Sequence, residues 1–146
     1  EAVCGLLTRA GYASKASPDI RNDVWQKLLG NISSGPVAAL TRSSVSGCLS
    51  TPGLRSIGRR LIVESKAVAE ALGVVLDVDT EERLDEAIRL GSHKPSMLQD
   101  VEAGRRLEVE AMVGAVSALG LRAGVPTPTV DDILAMTRML DQSLAG

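Results

Sequence analysis

Apolar residues recur along most of this chain at the 3.6-residue spacing of a helix, and no pair of segments alternates convincingly as strands. In "VWQKLLGNISSG" (24–35), Trp25, Leu28, Leu29 and Ile32 mark one helical face. Asp23, Lys27, Asn31 and Ser34 mark another, made only of polar groups. Upstream, "EAVCGLLTRAG" places Val3, Leu6 and Leu7 on one side and stops at Gly11, while Pro18 keeps "YASKASPDI" extended. Asn22 or Asp23 is the expected cap of the second helix. Gly35-Pro36 is its expected end or kink, with "PVAALTRSS" resuming as a short helix. "SGCLSTPGL" reads as a turn region, after which Pro52 opens a long helix that runs to about Leu72 and stops at Gly73. Asp79 and Glu82 form a capping box for a helix ending near Gly91, and Ser96 with Gln99 repeats that pattern for the next. One long helix is expected from Arg105 to about Ala123, closed by Gly124, and a last one from Thr129 to Leu144. The prediction is all-α, with six to seven helices.

Composition narrows the partners more than the fold. The 146 residues suffice for one domain with a core that needs no metal or disulfide. Net charge is −2 with acidic and basic residues interspersed, which argues against nucleic acid and leaves small molecules and proteins. Cys4 and Cys48 lie far apart in no metal-ligand spacing, so reduced thiols, no metal and a cytoplasmic location are expected. Apolar runs such as "LGVVL" are far too short for a membrane span. No signal peptide opens the chain and it does not begin with Met, which reads as a piece of a longer polypeptide. Neither G-x-G-x-x-G nor G-x-x-x-x-G-K-[ST] occurs, so no phosphate-binding loop lies in this stretch.

Three groups of polar residues could carry chemistry. Lys27 and Asn31 stand one turn apart and could jointly grip a planar oxygenated group, though the same stripe could be an ordinary wet face. Glu108 heads an otherwise apolar stripe with Met112, Ala115 and Leu119. It is either set at the mouth of a cleft or a first-turn glutamate favoured by the helix dipole. Ser96 is accounted for by capping, but a helix N-terminus with Lys94 beside it could also attract an anion. His93 reads as a loop residue, and Arg55, Arg59, Arg60, Glu64 and Lys66 as a solvated charged face.

Four segments taken together resemble a known family: "DIRNDVWQKLLGN", "PVAALT", "KPSMLQDVEAGRRLEVEAMVG" and "AGVPTPTVDDI", in this order. With W-x-K-L-x-x-N and S-M-L-Q-D-x-x-x-G-R-x-x-E, they are similar to the C-terminal, substrate-side domain of ketopantoate reductase over roughly residues 19 to 133. The resemblance implies one half of a two-domain NADPH-dependent dehydrogenase, with the Rossmann domain absent from this chain. Residues 1–18 would be a remnant of that nucleotide-binding domain and 19–146 the helical domain. By the family motif Lys27 matches the catalytic lysine, Asn31 and Ser96 substrate-binding residues, and Glu108 the motif glutamate, placed with Lys27 among the catalytic residues and contacting the cofactor side. Gly35 stands where the family keeps a second substrate asparagine, with Ser34 or Ser46 as candidates to compensate. The implied reaction is hydride transfer to a small 2-oxo acid, with Lys27 stabilising the oxyanion and donating the proton. The implied partners are that substrate and the chain's own N-terminal domain, and a homodimer is admitted. This stretch alone would bind substrate weakly and reduce nothing. The alternative expectation is a helical dimerisation or interaction domain of a divergent relative that lacks the activity.

Overall fold

The computed structural model of the protein describes residues 2–144, and every regular element among them is helical. The order is α1 (Ala2–Arg9), α2 (Ile20–Thr41), α3 (Val45–Leu49), α4 (Pro52–Ala71), α5 (Thr80–Arg89) and α6 (Ser96–Glu102). A π turn (Glu110–Gly114), α7 (Ala115–Ala123) and α8 (Pro128–Leu144) complete it. The all-α expectation holds. Eight α-helices are described rather than six or seven, partly because α3 forms within the expected turn region, with Ser44 Oγ accepting from the Gly47 N–H.

The long helix α2 is the hub, packing against α3, α4, α5, α6, α8 and the π turn. Its apolar stripe is the one the spacing marks out, with Leu29 and Ile32 fully buried and Trp25 nearly so. Its ends and middle differ from expectation. The cap is Asp19, which accepts from the Asn22 N–H, while the Asn22 amide donates to the Val75 carbonyl and ties α2 to the segment after α4. Pro36 neither ends the helix nor starts a new one; α2 runs through it to Thr41. An interior proline costs about 3 kcal/mol. Burial of Trp25, Leu29, Ile32 and Val37, at roughly 1.5–3 kcal/mol each, outweighs it.

The single helix expected over 105–123 is also broken. α6 ends at Glu102, Gly104 turns with φ +65°, and helix resumes only at Val109, directly into the π turn. Other signals hold where they are local: Asp79 caps α5 by accepting from the Glu82 N–H at 2.8 Å. Cys4 and Cys48 are both free thiols. Among the described residues no helix is long and apolar enough to cross a membrane, and no cluster of His, Cys, Asp or Glu could hold a metal ion.

Candidate functional site

The polar stripe of α2 is neither wholly wet nor wholly covered: it forms one wall of a cleft. On one side, a cavity of about 410 Å³ is lined by Lys27, Asn31 and Gly35 of α2, Ser96 and Gln99 of α6, and Glu108 with Met112 across from them. On the other, a cavity of about 320 Å³ lies between α2, Val45 of α3, Arg83, Glu86 and Ala87 of α5, and Leu90 just past its end. Lys27, Asn31, His93 and Pro95 border both, so the two are compartments of one trough. Of the residues the resemblance points to, Lys27, Asn31, Gly35, Ser96 and Glu108 come together in the first compartment. Ser34 lines the second. Ser46 lines neither; its hydroxyl lies 3.3 Å from that of Ser44, the cap residue of α3.

Each wall has a local reason for its position. The N–H groups of Val45 and Ser46, left free at the start of α3, donate to the His93 and Gly91 carbonyls and so fasten the 91–95 loop to α3. From the other side the Gln99 side chain donates to the Lys94 carbonyl at 2.7 Å. This replaces the expected capping box: Pro95 occupies the cap position and Ser96 makes no capping bond, which leaves its hydroxyl free beside the cleft. Lys94 is not an anion contact, because its ammonium is held by both Glu102 oxygens at 2.7 and 3.0 Å. His93, read from sequence as a plain loop residue, borders both compartments. Only the pairing of its loop with α3, distant in sequence, puts it there.

Glu108 is presented by a different device. Leu107 and Val109 on either side are buried, and Glu108 between them is exposed, at the end of a segment with no regular secondary structure. Asp141 of α8 accepts from the Leu107 N–H at 2.7 Å and from the Arg106 guanidinium, locking that segment in place. The Arg106 hydrogen bond, then the Leu107 N–H, hold the Asp141 carboxyl below its ordinary range. Glu110 is drawn away by a two-pronged bond to Arg138 of α8. Lys27, Asn31 and Glu108 are exposed, and none bonds another side chain among the described residues. The cleft therefore offers an ammonium, an amide, a hydroxyl and a carboxylate, all uncommitted.

The charged face of α4 is not simply solvated. Arg55 and Arg59 bond Glu81 of α5, and Glu64 accepts from the Thr129 and Val130 N–H groups at the start of α8. Lys66 donates to the Val78 carbonyl. These contacts hold α5 and the start of α8 against α4, and none of these residues lines the cleft.

Comparison with known proteins matches this arrangement to a family. The model of the ketopantoate reductase PanE/ApbA C-terminal domain matches residues 19–141. A 2-dehydropantoate 2-reductase of Mesorhizobium japonicum is 40% identical over 134 residues, covering 92% of this chain and 41% of that protein. The crystal structure of 2-dehydropantoate 2-reductase from Methylococcus capsulatus aligns with a TM-score of 0.92 at 27% identity, covering 99% of this chain and 50% of that one. A dimeric ketopantoate reductase from Staphylococcus aureus aligns with a TM-score of 0.74 at 27% identity, over 88% of this chain and 45% of that one. Fold and matched span define a helical C-terminal domain. The chain belongs to the ketopantoate reductase family. It spans less than half the length of the curated relatives it matches.

Proposed function

We propose that this chain is the substrate-binding and proton-donating half of an NADPH-dependent 2-oxo-acid reductase acting on ketopantoate or a close relative of it. The observation that carries the reading is the meeting of Lys27, Asn31, Ser96 and Glu108, from three separate stretches of chain, around one cavity. NADPH, when bound, supplies the hydride that adds to the ketone carbon. The chain has no glycine-rich loop for the cofactor's phosphates, so a preceding nucleotide-binding domain would hold them. What this chain offers is a free donor and a free acceptor, Lys27 and Glu108, which fit a ketone oxygen and the carboxamide of a nicotinamide. As negative charge grows on the ketone oxygen, the Lys27 ammonium stabilises it and then gives up a proton, leaving the hydroxy acid and a neutral amine that solvent reprotonates. Asn31 and Ser96 hydrogen-bond the carboxylate end and hold the ketone to Lys27.

On this reading residues 1–18 are the end of the nucleotide-binding domain, 19–146 are the substrate-side domain, and the protein works in the cytoplasm. The wholly unburied α1, with Val3, Leu6 and Leu7 exposed, supports the first boundary. The test joins the chain to a nucleotide-binding domain and follows NADPH oxidation with ketopantoate and other branched 2-oxo acids. Turnover is expected, and Lys27→Ala should lower it roughly 10²–10⁴-fold. Full activity in Lys27→Ala would remove the lysine from this role.

The exposed α1 face and the apolar groove of about 340 Å³ between Ile20, Val24, Leu72 and Leu119 also support a second reading, a helical dimerisation or interaction domain without chemistry. Sedimentation of the chain separates the two, since a monomer at high concentration counts against the second.

A further inference from the structure

We propose that Asp141, near the end of α8, is a positioning residue for Glu108 and sets that carboxylate through the Leu107 N–H. The proposal rests on the reading of Glu108 given above and adds to it a residue that lines neither compartment. Glu108 stands on the least supported stretch of the site. Residues 105–108 have no regular secondary structure, and the Glu108 side chain bonds no other side chain among the described residues. Its carboxylate is therefore only as well placed as the backbone beneath it. A group that takes part in a reaction has to be held to within about 0.5 Å.

Asp141 supplies the support that this stretch lacks. It is 8% exposed, and a carboxylate so buried must be paired. One oxygen accepts from the Leu107 N–H, just before Glu108, at 2.7 Å, and both accept from Arg106 Nε at 3.0 Å. The Arg106 side chain is 71% exposed, so water screens that part of the pairing. The Leu107 N–H is buried main chain, which cannot swing away from its acceptor as a side chain can. The other nearby tie, Asp100 with Arg105, holds a mostly exposed side chain further upstream.

The same helix grips the chain beyond Glu108. Arg138, one turn before Asp141, binds the Glu110 carboxylate of the π turn at 2.7 and 2.8 Å, in a more exposed pair. Gly114 has no side chain where Glu110 lies, which keeps that path open. Single π turns recur at functional sites, and this one follows Glu108 and brings Met112 to the same cavity. The start of α8 is fixed in turn by Glu64 of α4, which accepts from the Thr129 and Val130 N–H groups. One anchored helix thus holds the chain on both sides of Glu108.

The experiment is a double-mutant cycle between Asp141 and Glu108 in the chain joined to a nucleotide-binding domain. Turnover is followed at saturating NADPH with ketopantoate or whichever branched 2-oxo acid reacts fastest. Asp141→Ala should lower kcat by up to roughly 10²-fold, the cost of a misplacement of about 1 Å. KM for the 2-oxo acid, which Lys27, Asn31 and Ser96 hold, should stay close to that of the unaltered protein. Asp141→Asn keeps an acceptor for the Leu107 N–H but turns a donor toward Arg106, so its loss should be intermediate. It carries the cycle if Asp141→Ala does not fold. With Glu108→Ala in place there is no carboxylate left to position, and neither Asp141 variant should lower kcat further. A merely structural role would give the same factor with and without Glu108. That additive result, unchanged kcat in both Asp141 variants, or a loss confined to KM overturns the proposal and leaves the reductase reading standing. Full activity in Glu108→Ala, or no turnover in the unaltered joined protein, overturns the reading itself and the proposal with it.

Discussion

Gly58 lies inside α4 where that helix crosses α2, and alanine there tests how closely the two approach. A Cβ at Gly58 would stand 2.8 Å from the Ser33 carbonyl oxygen, 3.1 Å from Leu49 Cδ2 and 3.4 Å from Leu84 Cδ2. The nearest of these is backbone, in a helix gripped by most other elements, and it cannot swing aside as a side-chain tip can. Overpacking of this kind costs about 1–3 kcal/mol. Replacing glycine by alanine within a helix returns about 1 kcal/mol. Gly58→Ala should therefore lose up to about 2 kcal/mol of stability. Gly53, in the first turn of the same helix, has nothing within 4 Å of its Cβ, so the same substitution there should be neutral or stabilising. Urea unfolding followed by far-UV circular dichroism reads both, with the midpoint lowered for Gly58→Ala and unchanged or raised for Gly53→Ala, at constant slope. Equal midpoints for the two variants would refute the close crossing. They would also undo the account of the cleft's far wall, because Leu49 and Leu84 hold α3 and α5 at that same point.

Two further outcomes follow from the ties between helices. Glu64→Ala strips the acceptor from the Thr129 and Val130 N–H groups, at 3.0 and 2.9 Å, and should cost about 2 kcal/mol in the same assay, with Glu64→Gln recovering part of it. Glu81 has its pKa lowered from 4.5 to about 2, by the Arg59 hydrogen bond first and then Arg55. Because the folded value lies below the unfolded one, its contribution is complete above pH 4.5 and is lost as the pH falls toward 2. The melting temperature of Glu81→Gln should vary less across that window than that of the unaltered chain; identical slopes would rule the pair out as a source of acid sensitivity.

What could be read from residues alone was whatever depends on near neighbours. The helical period along α2, the Asp79 cap and the stop of α4 before Gly73 are settled within a turn or two of chain. The resemblance likewise picked out Lys27, Asn31, Ser96 and Glu108, and the fold gathers all four at one cavity. Local signals failed where distant contacts outweighed them. Pro36 did not break α2, which is buried on both sides of it, and Ser96 did not cap α6 because the helix starts at Ser96 itself, with Pro95 in the cap position.

The continuous helix expected through Glu108 failed for a related reason. Asp141, more than thirty residues later, holds Leu107 and Arg106 in a non-helical segment that no local pattern announces. The same limit hid His93 and the second compartment beside it, whose walls come from three helices and a loop. The chain by itself determined that it is helical, where most helices lie and which residues are chemically equipped. The tertiary structure decided which of their faces meet, because that depends on burial and hydrogen bonds between groups far apart in sequence. It thereby made the α2 stripe the wall of a cleft with two different ends.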